Sequence, residues 1–448
     1  MLFKASADSA GNPDLAVAIG RTPILPRHYW ETRDITKTST QPPLGSGPYR
    51  VGAFDFGRNI TFYRVEDYWG KDLPVNRGRY NFEHVKFDYF RDESIMLEAL
   101  KGDVIDVRNE TLSKIWATGY GFPAVKAGFF KKELIDLGRP RGPYFPLMWN
   151  LDKVRFQDIR VREALWLLYD FRWLNRVLMY GFYRYADSFF FNSPMAQHGL
   201  PSSAELKLLR PWRGKIPGRV FTHRWRDKKS TGYGYNRDAL KRALVLFEEA
   251  GWVLRDAEMV NARTGEPFTV DFVHASPASI RTEGTFMQIL NRIGIRTTMR
   301  VPEISNWLYR IRSGKFDVTT LDFSPGNRPG HLLRTKFGSA SADEPWGQNW
   351  GNIRDPAVDA MIEHVIAART PDDFYAATRA LDRILLWNFY CIPALAAPGH
   401  RLVYWNRFGI PADRPRLQRV AWLDTWWWDA DKAAWVESGM AALTGKGR

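Results

Sequence analysis

Cysteine is nearly absent from this sequence. Its 448 residues contain one, Cys391, set in the apolar run "FYCIPAL". One thiol excludes an internal disulfide and any cysteine-built metal site, and apolar neighbours point to a buried, inert side chain. Long hydrophobic runs are missing too. Nothing approaches the ~18–20 apolar residues that span a bilayer, and the opening "MLFKASADSAGNPD" lacks the apolar core of a signal peptide. Catalytic motifs are also scarce. The eight histidines (His28, His84, His198, His223, His274, His331, His364 and His400) never take the i, i+4 spacing of a zinc-binding helix. There is no G-x-S-x-G elbow, no P-loop and no G-x-G-x-x-G. Gly45 and Gly47 in "GSGPYR" precede Pro48, which suits a tight turn. Paired acids such as Asp372 and Asp373 stand where a helix begins, where they offset its dipole. No metal set, cofactor motif or catalytic constellation emerges, which favours binding over catalysis.

Aromatic and basic residues, by contrast, are plentiful. There are 19 tryptophans, and the formal charge is +15. Rings of this kind serve a core, a ligand cleft or stacking on bases. The charge fits a solvated basic surface, or a nucleic-acid or anionic-membrane partner. Lysine and arginine are densest between Lys153 and Lys229 but are mixed with acids, and no RNP, zinc-finger or GXXG-type motif accompanies them. A basic, aromatic-rich nucleic-acid-binding protein is the alternative reading.

The chain is too long for one core, so two domains are expected. Alternating apolar residues predict strands near Tyr49–Ala53, Ile60–Val65 and His84–Phe90, then a helix from Asp92 to Leu100 and a short strand at Val104–Val107. A strand at Tyr144–Leu151 precedes one long helix through "FQDIRVREALWLLYDFRWLNRVLMYGF". Further on, a helix capped by Asn236 stops at Gly251. Strands are expected at "FTVDFVH", Thr297–Val301 and "KFDVTTLDF", with helices between them, the alternation of a mixed or parallel sheet with helices on its faces. Asp355 with Pro356, and Pro371 with its acids, open two more helices. "YCIPALAAP" and "HRLVYWN" read as strands. In the terminal "DTWWWDAD", a strand would turn Trp426 and Trp428 to one face and Trp427 to the other. The reading favoured for these rings is structural.

Several stretches together resemble the type 5 extracellular solute-binding proteins, the peptide receptors of ABC importers. "PPLGSGPYRV" (Pro42–Val51) matches a turn before a strand of lobe I. Phe156, Asp158, Arg160, Val161, Arg162, Ala164 and Leu165 match the segment opening the second lobe's first helix, with Arg155 where proline is usual. "FEEAGW" (Phe247–Trp252), "KFDVTTLDF" (Lys315–Phe323) and "DPAVDAMI" (Asp355–Ile362) match further. "TPILPRHYWE", "YADSFFFNSPMAQHGLPSSAELKLL", "SPGN" (Ser324–Asn327) and the terminal segment resemble a microcin C and oligopeptide-uptake branch.

The resemblance implies an α/β, two-lobed periplasmic-binding-protein fold of type II, cluster C-like. It implies lobe I over residues 1–138, lobe II over 139–398 and a return to lobe I over 399–448. Family members carry a signal peptide and further residues that start lobe I, so this lobe is expected to be incomplete. A monomeric periplasmic receptor is implied, with a peptide or peptide-like ligand enclosed between the lobes, the permease subunits of an ABC transporter as partners, no nucleic acid and no cofactor. The expected ligand-binding residues are Asp322, Phe323 and Ser324, with Phe323 where the family often has tryptophan, then Trp149 and Asn150, then Asn349 and Trp350.

Overall fold

The computed structural model describes residues 4 and 15–444, apart from 21, 38, 137–139, 145, 229, 231–233, 235, 321–322, 345–346, 394 and 414–420. The chain divides into two compact units. The larger comprises Gly138–Pro398 with Met1–Ala16, the smaller Val17–Leu137 with Gly399–Arg448.

The smaller unit opens with β1 (Tyr49–Asp55), β2 (Asn59–Arg64) and β3 (His84–Asp88), an antiparallel sheet in that order. Gly57, at φ 73°, supplies the left-handed residue of the β1–β2 turn. The helix Glu93–Lys101 follows because the Asp92 carboxylate accepts from the N–H groups of Ser94 and Ile95. Then come β4 (Val107–Asn109) and β5 (Phe130–Ile135).

The larger unit carries β6 (Leu147–Trp149), β7 (Arg184–Tyr185), β8 (Trp252–Arg255), β9 (Glu258–Asn261), β10 (Thr269–Val273), β11 (Arg296–Arg300), β12 (Val318–Thr320), β13 (Cys391–Ile392) and β14 (Leu395–Ala396). Its main sheet runs β11-β10-β12-β6-β13. β10 is parallel to β11 and β12, whereas β6 is antiparallel to both β12 and β13. Two apolar clusters flank this sheet. One gathers Phe156, Val161, Leu165, Phe247, Phe268 and Leu290, and the other centres on the helix Pro371–Trp387. That helix is buried over most of its length, and its buried face includes the polar Thr378, Asp382 and Arg383 as well as apolar side chains.

The chain returns to the smaller unit with β15 (His400–Trp405), β16 (Phe408–Gly409) and β17 (Trp427–Trp428). β15 fills the place between β4 and β5, antiparallel to both.

The single long helix expected after Phe156 is instead three: Val154–Gln157, Ile159–Leu168 and Phe171–Leu178. Two aspartates break it. Asp158 turns extended and caps Arg160 N–H, and Asp170 leaves the helical conformation and caps Trp173 N–H. The expected strand Tyr144–Leu151 shortens to β6. The three tryptophans also depart from simple alternation. Trp426 precedes β17 and is buried against Tyr404 and Phe408, while Trp427 and Trp428 are both about half exposed.

Candidate ligand-binding site

The three parallel strands of the larger unit all end on one edge of the sheet. In open α/β sheets ligands bind outside the carboxyl ends of the strands. Phe272 pairs with Val318, and Thr320 pairs with Leu147. The residues following β10 and β12 therefore share an edge with the start of β6.

Polar groups gather there. Thr319 donates its hydroxyl to the Val273 carbonyl at 2.8 Å, and the Trp307 indole N–H reaches both Val273 O and Thr319 Oγ1 at 3.3 Å. Trp350 meets Trp307 edge to face at 5.2 Å, and the Lys336 ammonium lies 5.0 Å from the Trp350 ring. Such cation–ring and ring–ring contacts fix the half-buried Trp350 in orientation. His274, one residue beyond β10, is fully buried with Nε2 2.5 Å from Glu283 Oε2. Burial pushes the Glu283 carboxyl above its ordinary range, while the histidine beside it pulls the other way. Nδ1 of His274 has no hydrogen-bond partner among the described residues.

The residues expected from sequence separate into two groups. Ser324 is exposed at the carboxyl edge, and Trp350 is half-buried. Asp322 lies outside the described residues. Phe323 stands at the same edge but is interior, ringed by Phe189, Phe190 and Phe337. Gly142 is required beside it, since a Cβ there would come within 2.0 Å of the Phe323 carbonyl oxygen. Trp149 and Asn150 are corrected outright. The expectation counted them as ligand-binding residues at the end of their strand, but β6 is antiparallel to β12, so that end lies at the edge opposite Phe323. Trp149 is fully buried and stacks on Phe156 at 5.5 Å. Asn150 donates to Phe316 O at 3.0 Å and accepts from Asp152 N–H and Asn352 Nδ2 at 3.1 Å each. Asn349 is buried, and its amide donates to Gly338 O and Ile353 O and accepts from Ile353 N–H, so its hydrogen bonds serve its own loop. These three side chains pin loops.

His274, Glu283, Trp307 and Thr319 were not among the residues expected from the sequence. Position was the available signal, because His274 directly follows an apolar strand and Glu283 lies in the next helix, Ala278–Arg292. Among the described residues no cluster of three or more histidine, cysteine or acidic side chains could hold a metal ion.

The profile of the bacterial extracellular solute-binding proteins, family 5 Middle, matches residues 5–343. The chain is 38% identical to the "Probable peptide-binding protein YejA" of Agrobacterium fabrum, over 94% of this chain and 70% of that protein. It is 35% identical to YejA of Escherichia coli, over 93% of this chain and 68% of that one. Among solved structures, the oligopeptide-binding protein AppA from Bacillus subtilis, in complex with a nonapeptide, aligns with a TM-score of 0.65. That alignment covers 91% of this chain and 72% of AppA at 17% identity, so it speaks to fold alone. The fold is that of the type II periplasmic binding proteins, as expected from the sequence.

Proposed function

This chain belongs to the bacterial extracellular solute-binding proteins of family 5, and from that premise we propose that it is a receptor that captures oligopeptides or peptide-like compounds and delivers them to the permease subunits of an ABC transporter. The observation that carries the reading is 38% identity, along nearly the whole chain, to a relative named for peptide binding. We place the receptor in the periplasm and read it as a monomer. Among the described residues no helix is long and apolar enough to cross a membrane. We take 139–398 as lobe II, and 1–138 with 399–448 as part of lobe I.

On lobe II the ligand-facing surface is the carboxyl edge of the five-stranded sheet. Ser324 offers a hydroxyl there and Asp322 is the candidate carboxylate for a ligand's α-amino group; Trp350, held edge to face against Trp307, is proposed as an oriented ring. Backbone groups following β12 suit the repeating amides of an extended peptide, which gives affinity without demanding one side chain. The reading is one of binding, without catalysis. Nucleic acid finds no support in the comparisons. The basic excess is partly internal, since Arg383, Arg162 and Arg108 are buried.

Thermal-shift and calorimetric titration with di- to hexapeptides test the proposal. Stabilisation by peptides, little affected by salt, is expected. If no peptide binds while oligonucleotides bind with steep salt dependence, the reading is wrong.

A further inference from the structure

The chain has 49 acids among its 448 residues, yet none lies between Leu206 and Arg226, where seven residues are lysine or arginine. The segment belongs to the larger unit. The helix Ser203–Leu209 runs into the 3-10 turn Arg210–Trp212, and the short helix Arg219–Thr222 follows. Leu209, Ile216, Val220 and Trp225 sink into the apolar cluster around the helix Pro371–Trp387. These anchors fix which way the rest of the segment points. Lys207, Arg210, Arg213, Lys215, Arg224 and Arg226 are all exposed.

Local geometry gathers these six cations. Lys207 and Arg210 are three apart on one helical path, since Arg210 keeps helical angles, so they share a face. The N–H groups of Lys215 and Ile216 both return to Trp212 O, at 2.9 and 3.1 Å, which curls the next residues into a tight turn. The Arg213 guanidinium lies 4.9 Å from the Phe221 ring and so sets that turn against the short helix. Beyond it the chain is extended at His223, and Trp225 points inward, so Arg224 and Arg226 point outward. The carboxylates at the borders are already engaged. Glu205 accepts from Arg383, Glu163 holds Arg219 through two bonds at 2.7 and 2.6 Å, and Asp227 holds Arg172 at 2.6 Å. Among the described residues no carboxylate forms an ion pair with any of the six.

We propose that this segment is a docking surface for an anionic phospholipid bilayer, with the six cations set against its phosphates. A polybasic surface is drawn to the negative potential of such a membrane over about one Debye length, and it needs no groove to be held. The rings of the segment suit this partner better than nucleic acid. Trp212 and Phe221 are half-buried, and each is faced by a cation of the chain itself, Lys215 at 5.6 Å and Arg213 at 4.9 Å. Base stacking needs a free ring face. A half-buried indole beside cations matches a membrane interface, where one end of the ring is apolar and the other wet. The surface makes no use of the carboxyl edge of the five-stranded sheet, so it stands or falls separately from the receptor reading.

The test sediments the purified 448-residue chain with sucrose-loaded vesicles of phosphatidylcholine, alone or mixed with phosphatidylglycerol. Binding is expected only where phosphatidylglycerol is present, and rising sodium chloride should weaken it steeply. A single substitution such as Arg213→Gln should weaken partitioning about fivefold, and Arg210→Gln, Arg213→Gln and Lys215→Gln together about a hundredfold. A matched variant with Arg255→Gln, Arg263→Gln and Arg292→Gln removes the same charge from exposed positions elsewhere on the larger unit and should bind as the parent does. Both variants should unfold at the parent's urea concentration, because every substituted side chain is at the surface. Equal losses in the two variants would reduce the effect to net charge and overturn the assignment. So would equal binding to phosphatidylcholine alone, or no binding to either vesicle. Tighter binding of a single-stranded oligonucleotide than of the anionic vesicles, dependent on the same residues, would give the surface to nucleic acid and overturn it as well. Peptide titration of the same samples reads the receptor function separately, so the failure of one reading leaves the other standing.

Discussion

The two sheets that begin each unit differ in what they bury. In the larger unit β6, β12 and β13 are almost wholly interior, and β10 buries three of its five residues. In the smaller unit β1, β2 and β3 bury none. The polar interior differs in the same direction. In the larger unit Asp382 accepts from Ser188 Oγ at 2.6 Å, Phe189 N–H at 2.8 Å and Gln197 N–H at 3.0 Å. Its neighbour Arg383, with no exposure, donates to Glu205, Gln197, His198 and Gly199. Such a network is satisfied only when every member is in place. The larger unit is closed on itself, while the three-stranded sheet of the smaller one stays partly exposed along every strand.

That contrast is broken most severely at Arg383. Arg383→Met leaves the Glu205 carboxylate buried without its partner and should cost about 3–5 kcal/mol, read from urea denaturation followed by probes in the larger unit. A loss under ~1 kcal/mol would mean the network is not closed. The corresponding test in the smaller unit is Trp426→Ala. Trp426 packs 4.8 Å from Tyr404, so about 3 kcal/mol is expected. Exchange should rise most in β15 and β16, whose Tyr404 and Phe408 pack on the Trp426 ring.

How much of this was legible in the sequence depended on range. Asp92, Asn236 and Asp355 announce helix starts because a cap acts within three residues. Ser324 was expected from the family resemblance of the segment that follows β12, and its role is a proposal. The breaks at Asp158 and Asp170 were hidden because apolar spacing continues through them, and only the capping bonds reveal them. The direction of β6 was not legible at all. Its three residues are interior on both faces and read the same parallel or antiparallel, so the sequence did not show that Trp149 and Asn150 end the strand at the edge opposite Phe323. The His274–Glu283 contact joins a strand end to a helix nine positions on, a distance that no period encodes.

The closed interior also predicts a pH dependence. Burial pushes the Asp382 carboxyl up to about 7, against three hydrogen bonds that pull it down. Unfolded, it titrates near 3.8. Between those values the folded chain keeps a proton that the unfolded chain has released. Stability therefore falls as pH rises through that window and levels off above it. Asp382→Asn removes the titration. It should be less stable overall, since the amide nitrogen cannot accept, yet its stability should be flatter across the same window. Equal slopes in the two proteins would show that Asp382 is ionised throughout.

The smallest effect is expected at Trp427, and it sharpens the comparison from the other side. Three adjacent tryptophans invite the idea of a shared role, but they are unequal. Trp426 is 2% exposed, Trp427 42% and Trp428 50%. The Trp427 ring lies over Gly409, where a Cβ would come within 1.9 Å of it, so its main contact is a flat backbone in β16. Trp427→Ala should therefore change stability by about 0.5 kcal/mol or less, measured beside Trp426→Ala in the same denaturation series. Gly409→Ala should cost more than Trp427→Ala, because the added methyl must displace the whole ring. If both tryptophan variants proved equally damaging, the smaller unit would be more closed than its exposed sheet suggests.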